Sequence, residues 1–295
     1  MTPVGVIGAG AMGMGVVARL RSGGAATVVR DISAQAARDA AERGASIATS
    51  AAGIAHAARI AIVLVVDAAQ VDDVLFGADG FAAAARRGTT LVLSSTLPPA
   101  YVDGLPARLA GTGIDLVDAP VSGGPARAHA GTMTMMVAGA DAALERCAPL
   151  FERIAGRVFR VGTRPGDAAK FKIVNNLLAA VNLAAAAEGL AIARRAGLDV
   201  QRVADVVNAS SGASWIFADR VPRALAGELT PPRAAARILA KDVTIAAEFA
   251  AALGVDATFA HAAQKAFAAV VAAGYGDDDD AAIIDWAAAR AEPQR

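Results

Sequence analysis

The stretch Val4–Gly15, VGVIGAGAMGMG, decides the fold. A β-branched apolar run stops at Gly8, and Gly8, Gly10 and Gly13 then stand in G-x-G-x-x-G spacing before helix-forming residues resume. That order reads as strand, turn and helix. It calls for a tight turn at Gly8, close approach of a ligand to the backbone at Gly10, and strand-to-helix contact at Gly13. Ala11 and Met12 fall in the first helical turn, where free amides and the positive end of the helix dipole would hold the pyrophosphate of a dinucleotide. In a chain this rich in alanine and glycine the spacing alone is weak, so its surroundings decide.

The next apolar run, ATVVRD, ends in Asp31. A carboxylate at the end of the second strand is placed to accept hydrogen bonds from the adenosine ribose hydroxyls, and it repels the 2′-phosphate of NADP. NAD is therefore favoured over NADP, with the neighbouring Arg30 pulling the other way. Asp31 also reads as a plain strand-end cap.

Outward from this unit the same alternation recurs. The runs IAIVLVV, TTLVLSS, IDLVDAP and MTMMVAG are continuous apolar segments separated by helix-length stretches. Such runs are strands of a parallel sheet buried on both faces. After Gly166 the strand signals end and long alanine- and leucine-rich segments follow. The fold class expected is α/β, an N-terminal Rossmann doubly wound sheet with a C-terminal all-helical domain. The domains would span residues 1–164 and 165–295, joined by a long inter-domain helix from about Asp167 to Ala196, with Gly197 ending it at C′.

Composition limits the function classes. At 295 residues, 55% hydrophobic and 19% charged, the chain has ample material for a core, and its net charge of +0 carries no footprint for nucleic acid. The single cysteine, Cys147, excludes internal disulfides and thiolate metal clusters and reads as a small buried hydrophobe. No metal site is expected, because no spaced His/Asp/Glu set is present. Asn182 and Glu188 interrupt the apolar run LLAAVNLAAAAEGLAIA, so no membrane partner is expected, and the N-terminus has no cleavable leader pattern. A cytoplasmic location follows as the default.

The segment Lys170–Asn176, KFKIVNN, concentrates polar side chains in an apolar setting. With about 100° per helical residue, Lys172, Asn175 and Asn176 share one face, and the stripe runs on through Ala179, Leu183 and Ala187. Lys170 points nearly the other way, as a solvated or interface charge. A lysine on an inward stripe needs a reason, since burying an unpaired ammonium is costly. Either it is tied to a carboxylate, or it sits beside a carbinol oxygen and exchanges the proton that leaves as hydride passes to or from a nicotinamide. The histidines His56, His129 and His261 belong to no motif and read as surface side chains; His129, near the SGG loop, is the one kept as an alternative for this role.

Together, GVIGAGAMGMG, LSST (Leu93–Thr96), DAPVSGGPARAHAGTMTMMVAG from Asp118, KIVNNLL from Lys172, AGLD, SSGASW and LAKD ending at Asp242 resemble the β-hydroxyacid dehydrogenases over essentially the whole chain. The resemblance implies that Lys172 is the catalytic lysine and that Asn176 and Asn175 hydrogen-bond substrate. It implies that Ser122, Gly123 and Gly124 cradle the substrate carboxylate, although the same three residues also read as a flexible turn. Val66, Thr96 and Lys241 join the cofactor-binding positions, and Trp215 is either an aromatic near the substrate or a core side chain. The segments LVVDAAQVDDVLFG and SSGASWIFADRVPRALAGELTP look like the branch that acts on L-threonate. Ala168 stands where the family has a glycine, and the acidic run Asp277–Asp280 most simply caps the last helix.

The reading is an NAD-dependent oxidation of a small hydroxycarboxylic acid, first a four-carbon sugar acid such as L-threonate, in a cleft between the two domains. A 3-hydroxyisobutyrate or tartronate semialdehyde substrate is the alternative. A non-enzymatic dinucleotide-binding module is the rival class, disfavoured because it would have no use for Lys172. So much apolar helix also implies a homodimer or homotetramer.

Overall fold

A computed structural model describes residues 2–291. The chain divides into two compact units, Met1–Lys172 and Ile173–Arg295. In chain order the first unit runs β1 (Val4–Ile7), α1 (Ala11–Ser22), β2 (Thr27–Arg30), α2 (Ala34–Glu42), β3 (Ser46–Ile47), α3 (Ala51–Ala57) and β4 (Ile60–Val63). It continues through α4 (Ala68–Phe76), α5 (Phe81–Ala84), β5 (Thr90–Leu93), α6 (Pro99–Arg108), β6 (Asp115–Asp118), β7 (Val121–Ser122), α7 (Gly124–Ala130), β8 (Met133–Ala138), α8 (Asp141–Ile154) and β9 (Ala155–Gly162).

These strands form one sheet in the order β3-β2-β1-β4-β5-β6-β8-β7, with β9 along the free side of β8. From β3 to β6 every pairing is parallel. Successive strand residues face opposite sides, so Val6, Ile62 and Val92 enter one apolar layer while Ile7, Val63 and Leu93 enter the other. That double burial is why the strands read as unbroken apolar runs rather than alternating ones.

Beyond β6 the parallel expectation fails. Strand β8, the MTMMVA run, is antiparallel to β6 and β7 and parallel to β9. The apolar pattern marks burial on two faces and says nothing of direction. Two strands of two residues, β3 and β7, are too short to carry a pattern. Strand β9 escapes the pattern for another reason: it is an edge strand in which Arg157 and Arg160 flank Val158 and Phe159, both substantially exposed.

The second unit holds α10 (Val200–Asn208), α11 (Trp215–Leu225), α12 (Ala236–Ala252), α13 (Thr258–Val270), a kinked segment at Val271–Tyr275 where Gly274 takes φ +97°, and α14 (Ala282–Ala291), all following α9 (Asp167–Arg195). Helix α9 is continuous across the division at Lys172. It stops where Gly197 takes φ +74° and Leu198 N–H returns to Ala193 O at 3.0 Å. By length and composition α9 could cross a membrane, contrary to the expected interruption. Instead its Ala180, Leu183, Ala187 and Leu190 supply the core of the second unit.

The acidic run does more than cap. Asp279 accepts from the Ala281 amide at 3.1 Å, but its other oxygen takes the Arg223 guanidinium at 2.8 Å and the Arg233 amide at 2.7 Å. Asp280 receives Arg220 through two nitrogens, at 2.6 and 3.1 Å. Burial pushes the Asp279 carboxyl up, but Arg223 and the two amides outweigh it and hold it below the usual carboxylate range. Removing one partner of such a buried pair is costly, so the two pairs tie α11 to the segment just before α14, and the Arg233 amide brings the loop between α11 and α12 to the same carboxylate as Arg223.

Candidate active site

The parallel register aligns Arg30, Ile7, Val63, Leu93 and Asp118 in one row across five strands. The chain leaves all five strands at the same edge, so Asp31, the Gly8–Gly13 turn, Val66, Thr96 and Ser122 all follow carboxyl ends. The strand order reverses between β1 and β4, and ligands of open α/β sheets bind at the carboxyl ends beside such a reversal.

The turn is built for a backbone-held anion. Gly8 has φ +90°, closed to ordinary side chains, and its amide donates to Arg30 O at 2.9 Å. A Cβ at Gly13 would lie 2.9 Å from the Gly8 carbonyl carbon and closer still to its oxygen, whereas a Cβ at Gly10 would meet nothing within 4 Å. Gly10 is exposed, no side chain caps α1, and its first turn carries no acidic residue. Ala11 is exposed and Met12 half-buried beside these amides. The turn therefore presents donors to a phosphate with no methyl in the way.

Asp31 faces the same turn. Its Oδ2 accepts from the Ala9 amide at 2.6 Å and its Oδ1 from the Ser33 amide at 2.7 Å. The carboxylate is fixed by backbone, as a strand-end cap would be, and stands at the glycine turn, as a ribose acceptor must. Arg30 directs a guanidinium nitrogen to Asp31 O. Val66 is exposed and its amide donates to Gln70 Oε1 at 2.9 Å, while Thr96 is half-buried after β5. These residues fit NAD.

Ser122 ends β7, and Gly123 and Gly124 follow with φ of +126° and +73°. Gly123 needs that freedom, because any side chain there would be strained and would meet Arg127. Ser122, Gly123 and Gly124 are each half-buried.

Strand β6 and helix α9 meet through Asp118, which is 1% exposed. Its Oδ2 accepts from the Gly166 amide at 2.8 Å and the Ala169 amide at 2.9 Å, satisfying donors that a helix start leaves open. Burial pushes the Asp118 carboxyl up to about 6, against the pull of the Ala169, Gly166 and Ala168 amides and with added repulsion from Asp167. Hydrogen bonds to a buried charge contribute about 1.5–3 kcal/mol. The exposed pairs of Lys170, with Asp103 at 3.2 Å and Asp167 at 3.5 Å, are of a kind that contributes about 0–1 kcal/mol. Lys170 is thus a half-exposed, paired charge, and the buried Asp118 contact dominates the anchoring of this turn.

Further along α9, Lys172 and Asn176 are each 7% exposed, Leu183 and Ala187 are buried, and Asn175 and Ala179 are half-buried. The stripe turns inward as its period predicts. Asn175 donates to Asn176 Oδ1 at 3.0 Å, and Asn176 donates to Asp242 Oδ2 at 2.6 Å. Lys241 completes the chain with Nζ 2.7 Å from Asp242 Oδ1. LAKD therefore holds a buried acceptor, Asp242, rather than a surface charge pair alone. Nothing in the sequence marks Asp242 as the partner of Asn176 except its place in that motif. Trp215, at the start of α11, is 52% exposed, so the core reading of it fails. His56, His129 and His261 are exposed.

Two family models match the chain: the NAD binding domain of 6-phosphogluconate dehydrogenase over residues 3–162, and the NAD-binding domain of NADP-dependent 3-hydroxyisobutyrate dehydrogenase over residues 166–287. The chain is 40% identical over 282 residues to L-threonate dehydrogenase of Escherichia coli strain K12, covering 95% of this chain and 93% of that protein. It is 31% identical to 2-hydroxy-3-oxopropionate reductase of the same strain, covering 95% of each. A crystal structure of 3-hydroxyisobutyrate dehydrogenase from Salmonella typhimurium superposes with a TM-score of 0.88 at 38% identity, covering 97% of this chain and all (100%) of that one. The glycine turn, the strand order and the relatives agree, and the chain belongs to the β-hydroxyacid dehydrogenase family, NAD(P)-dependent oxidoreductases that act on the CH–OH group of small hydroxyacids.

Proposed function

We propose that this chain oxidises a four-carbon sugar acid of the L-threonate kind with NAD, and that Lys172 takes the hydroxyl proton. The observation that carries the reading is Lys172 itself, buried on the inward face of α9, one turn ahead of the buried Asn176. The amides of Gly10, Ala11, Met12 and Gly13 hold the pyrophosphate, Gly8 makes the turn, and Asp31 receives the ribose hydroxyls. Val66, Thr96 and Lys241 would contact the cofactor, Thr96 and Lys241 near its nicotinamide half. When bound, NAD supplies the acceptor for the hydride.

The chain's own residues do the rest. Ser122 Oγ and the amides of Gly123 and Gly124 receive the substrate carboxylate. Lys172 Nζ, in its neutral form, accepts the proton of the carbinol hydroxyl, and in reduction it returns that proton. Asn175 and Asn176 supply amides to the remaining hydroxyls, with Asp242 and Lys241 setting the Asn176 rotamer. Much of the acceleration comes from orientation. The substrate choice is supported by the 40% identity to L-threonate dehydrogenase. The second reading, a 3-hydroxyisobutyrate, is favoured by the 38% identical solved structure.

The same reading places the enzyme in the cytoplasm, supported by its one buried free thiol, and makes it a homodimer or homotetramer. Exposed Val174, Leu178 and Phe259 in the second unit support the assembly. A light-scattering mass equal to one chain would overturn that part.

The central test is initial rates of the wild type and Lys172→Ala with NAD and NADP across two- to five-carbon hydroxyacids. The variant should lose about 10²–10⁴-fold in kcat while its NAD dissociation constant stays within twofold (~2). Turnover within tenfold (~10) of wild type would remove Lys172 from the chemistry.

A further inference from the structure

We infer that Asp118 is a positioning residue that sets the spacing between the carboxylate cradle and Lys172. The inference rests on the roles proposed above for Lys172 and the Ser122–Gly124 loop. Asp118 is the last residue of β6, and the chain runs from it through Ala119 and Pro120 into Ser122 and the two glycines. On the other side, one carboxylate oxygen holds both the Gly166 and the Ala169 amides. Ala169 precedes Lys172 by three residues, slightly less than one helical turn. The strand that delivers the cradle and the helix turn that delivers the amine therefore meet at a single buried side chain.

The contact is suited to fixing a distance. Asp118 is clamped within the sheet, its Cα paired with Ala138 of β8, so its carboxylate has little freedom. Oδ2 holds the Gly166 amide just before α9 at 2.8 Å and the Ala169 amide in its first turn at 2.9 Å, which fixes the rotation as well as the height of that turn. A change in that turn shifts the root of the Lys172 side chain while leaving the strand end in place. A misplacement of about 1 Å at a reacting group can cost about 100-fold in rate. The glycine turn after β1 lies across β5 and β4 from this contact, so cofactor binding should not register the change.

The test uses the full chain with Asp118→Ala, Asp118→Asn and Asp118→Glu, and Lys172→Ala as reference. Asparagine keeps an acceptor oxygen at the same reach, whereas glutamate keeps the charge but lengthens the strut by one methylene. The alanine and glutamate variants should lose about 10- to 100-fold in kcat, with NAD affinity within twofold (~2). The asparagine variant should recover kcat to within about threefold of wild type. If the alanine variant does not fold, the asparagine and glutamate pair decides.

A glutamate variant with wild-type kcat, or an asparagine variant as slow as glutamate, would overturn the inference. A purely structural role would lower the melting temperature and leave the kcat of the folded fraction unchanged, which also overturns it. If Lys172→Ala stays active, the reading of the lysine fails. If Lys172→Ala is inactive while the Asp118 variants keep full kcat, only the positioning role fails.

Discussion

Two alanine substitutions a few residues apart should separate packing from cofactor binding. At Gly13 the added methyl would lie 2.9 Å from the Gly8 carbonyl carbon and closer to its oxygen. Both are backbone atoms. Gly8 cannot yield, because its φ of +90° and its amide bond to Arg30 O fix the turn. Helix α1 must move off β1 instead, and overpacking of this kind costs about 1–3 kcal/mol. At about 2–4 °C per kcal/mol for a chain of this size, Gly13→Ala should melt roughly 2–12 °C lower.

Gly10 is the opposite case. Its φ of −64° is ordinary and nothing stands within 4 Å of the new methyl. Gly10→Ala should leave the melting temperature unchanged or raise it slightly, since removing a glycine's freedom from the unfolded chain stabilises by about 0.4–1 kcal/mol. That methyl nonetheless fills the space a pyrophosphate must approach, so NAD should bind at least tenfold (~10) more weakly, a loss of about 1.4 kcal/mol. Thermal melts without cofactor and calorimetric titration with NAD read the two effects separately. An alanine at Gly10 that binds NAD within twofold (~2) of wild type would refute the phosphate assignment. Wild-type melting of Gly13→Ala would refute the packing argument.

Other outcomes are equally specific. Asp31→Ser should lower the NAD-to-NADP ratio of kcat/KM at least tenfold (~10), because the repulsion against a 2′-phosphate goes with the carboxylate; an unchanged ratio removes the ribose assignment. Asp118 should make stability fall with rising pH. Its folded value of about 6 lies above the ordinary 3.8, so its contribution is complete below that lower value and is lost as pH climbs through about 6. The difference corresponds to about 3 kcal/mol as an upper bound. Urea unfolding at pH 4 and pH 7 should find Asp118→Asn gaining up to that amount on the wild type between the two, and a constant difference would contradict it.

The local features were open to reading because local physics writes them into consecutive residues. The glycine turn needs φ and space that glycine alone provides, and strands buried on two faces leave unbroken apolar runs. The limits of α9 follow from its apolar period and from Gly197, and the period also put Lys172 and Asn176 on the inward face. Short β3 and β7 were hidden because two residues carry no period, and edge strand β9 because its polar face resembles a loop. The reversal of β8 was hidden because an apolar run has no direction.

What the sequence by itself determined is the Rossmann architecture, the helical second half and the lysine face, all set by spacings of a few residues. Only the tertiary structure decided which groups meet across long separations. Asp118 and Ala169 are 51 residues apart, Asn176 and Asp242 are 66, and Arg220 and Asp280 are 60. A buried polar group must find a partner, but periodicity cannot name one that arrives from another element, because that depends on how whole helices and strands pack.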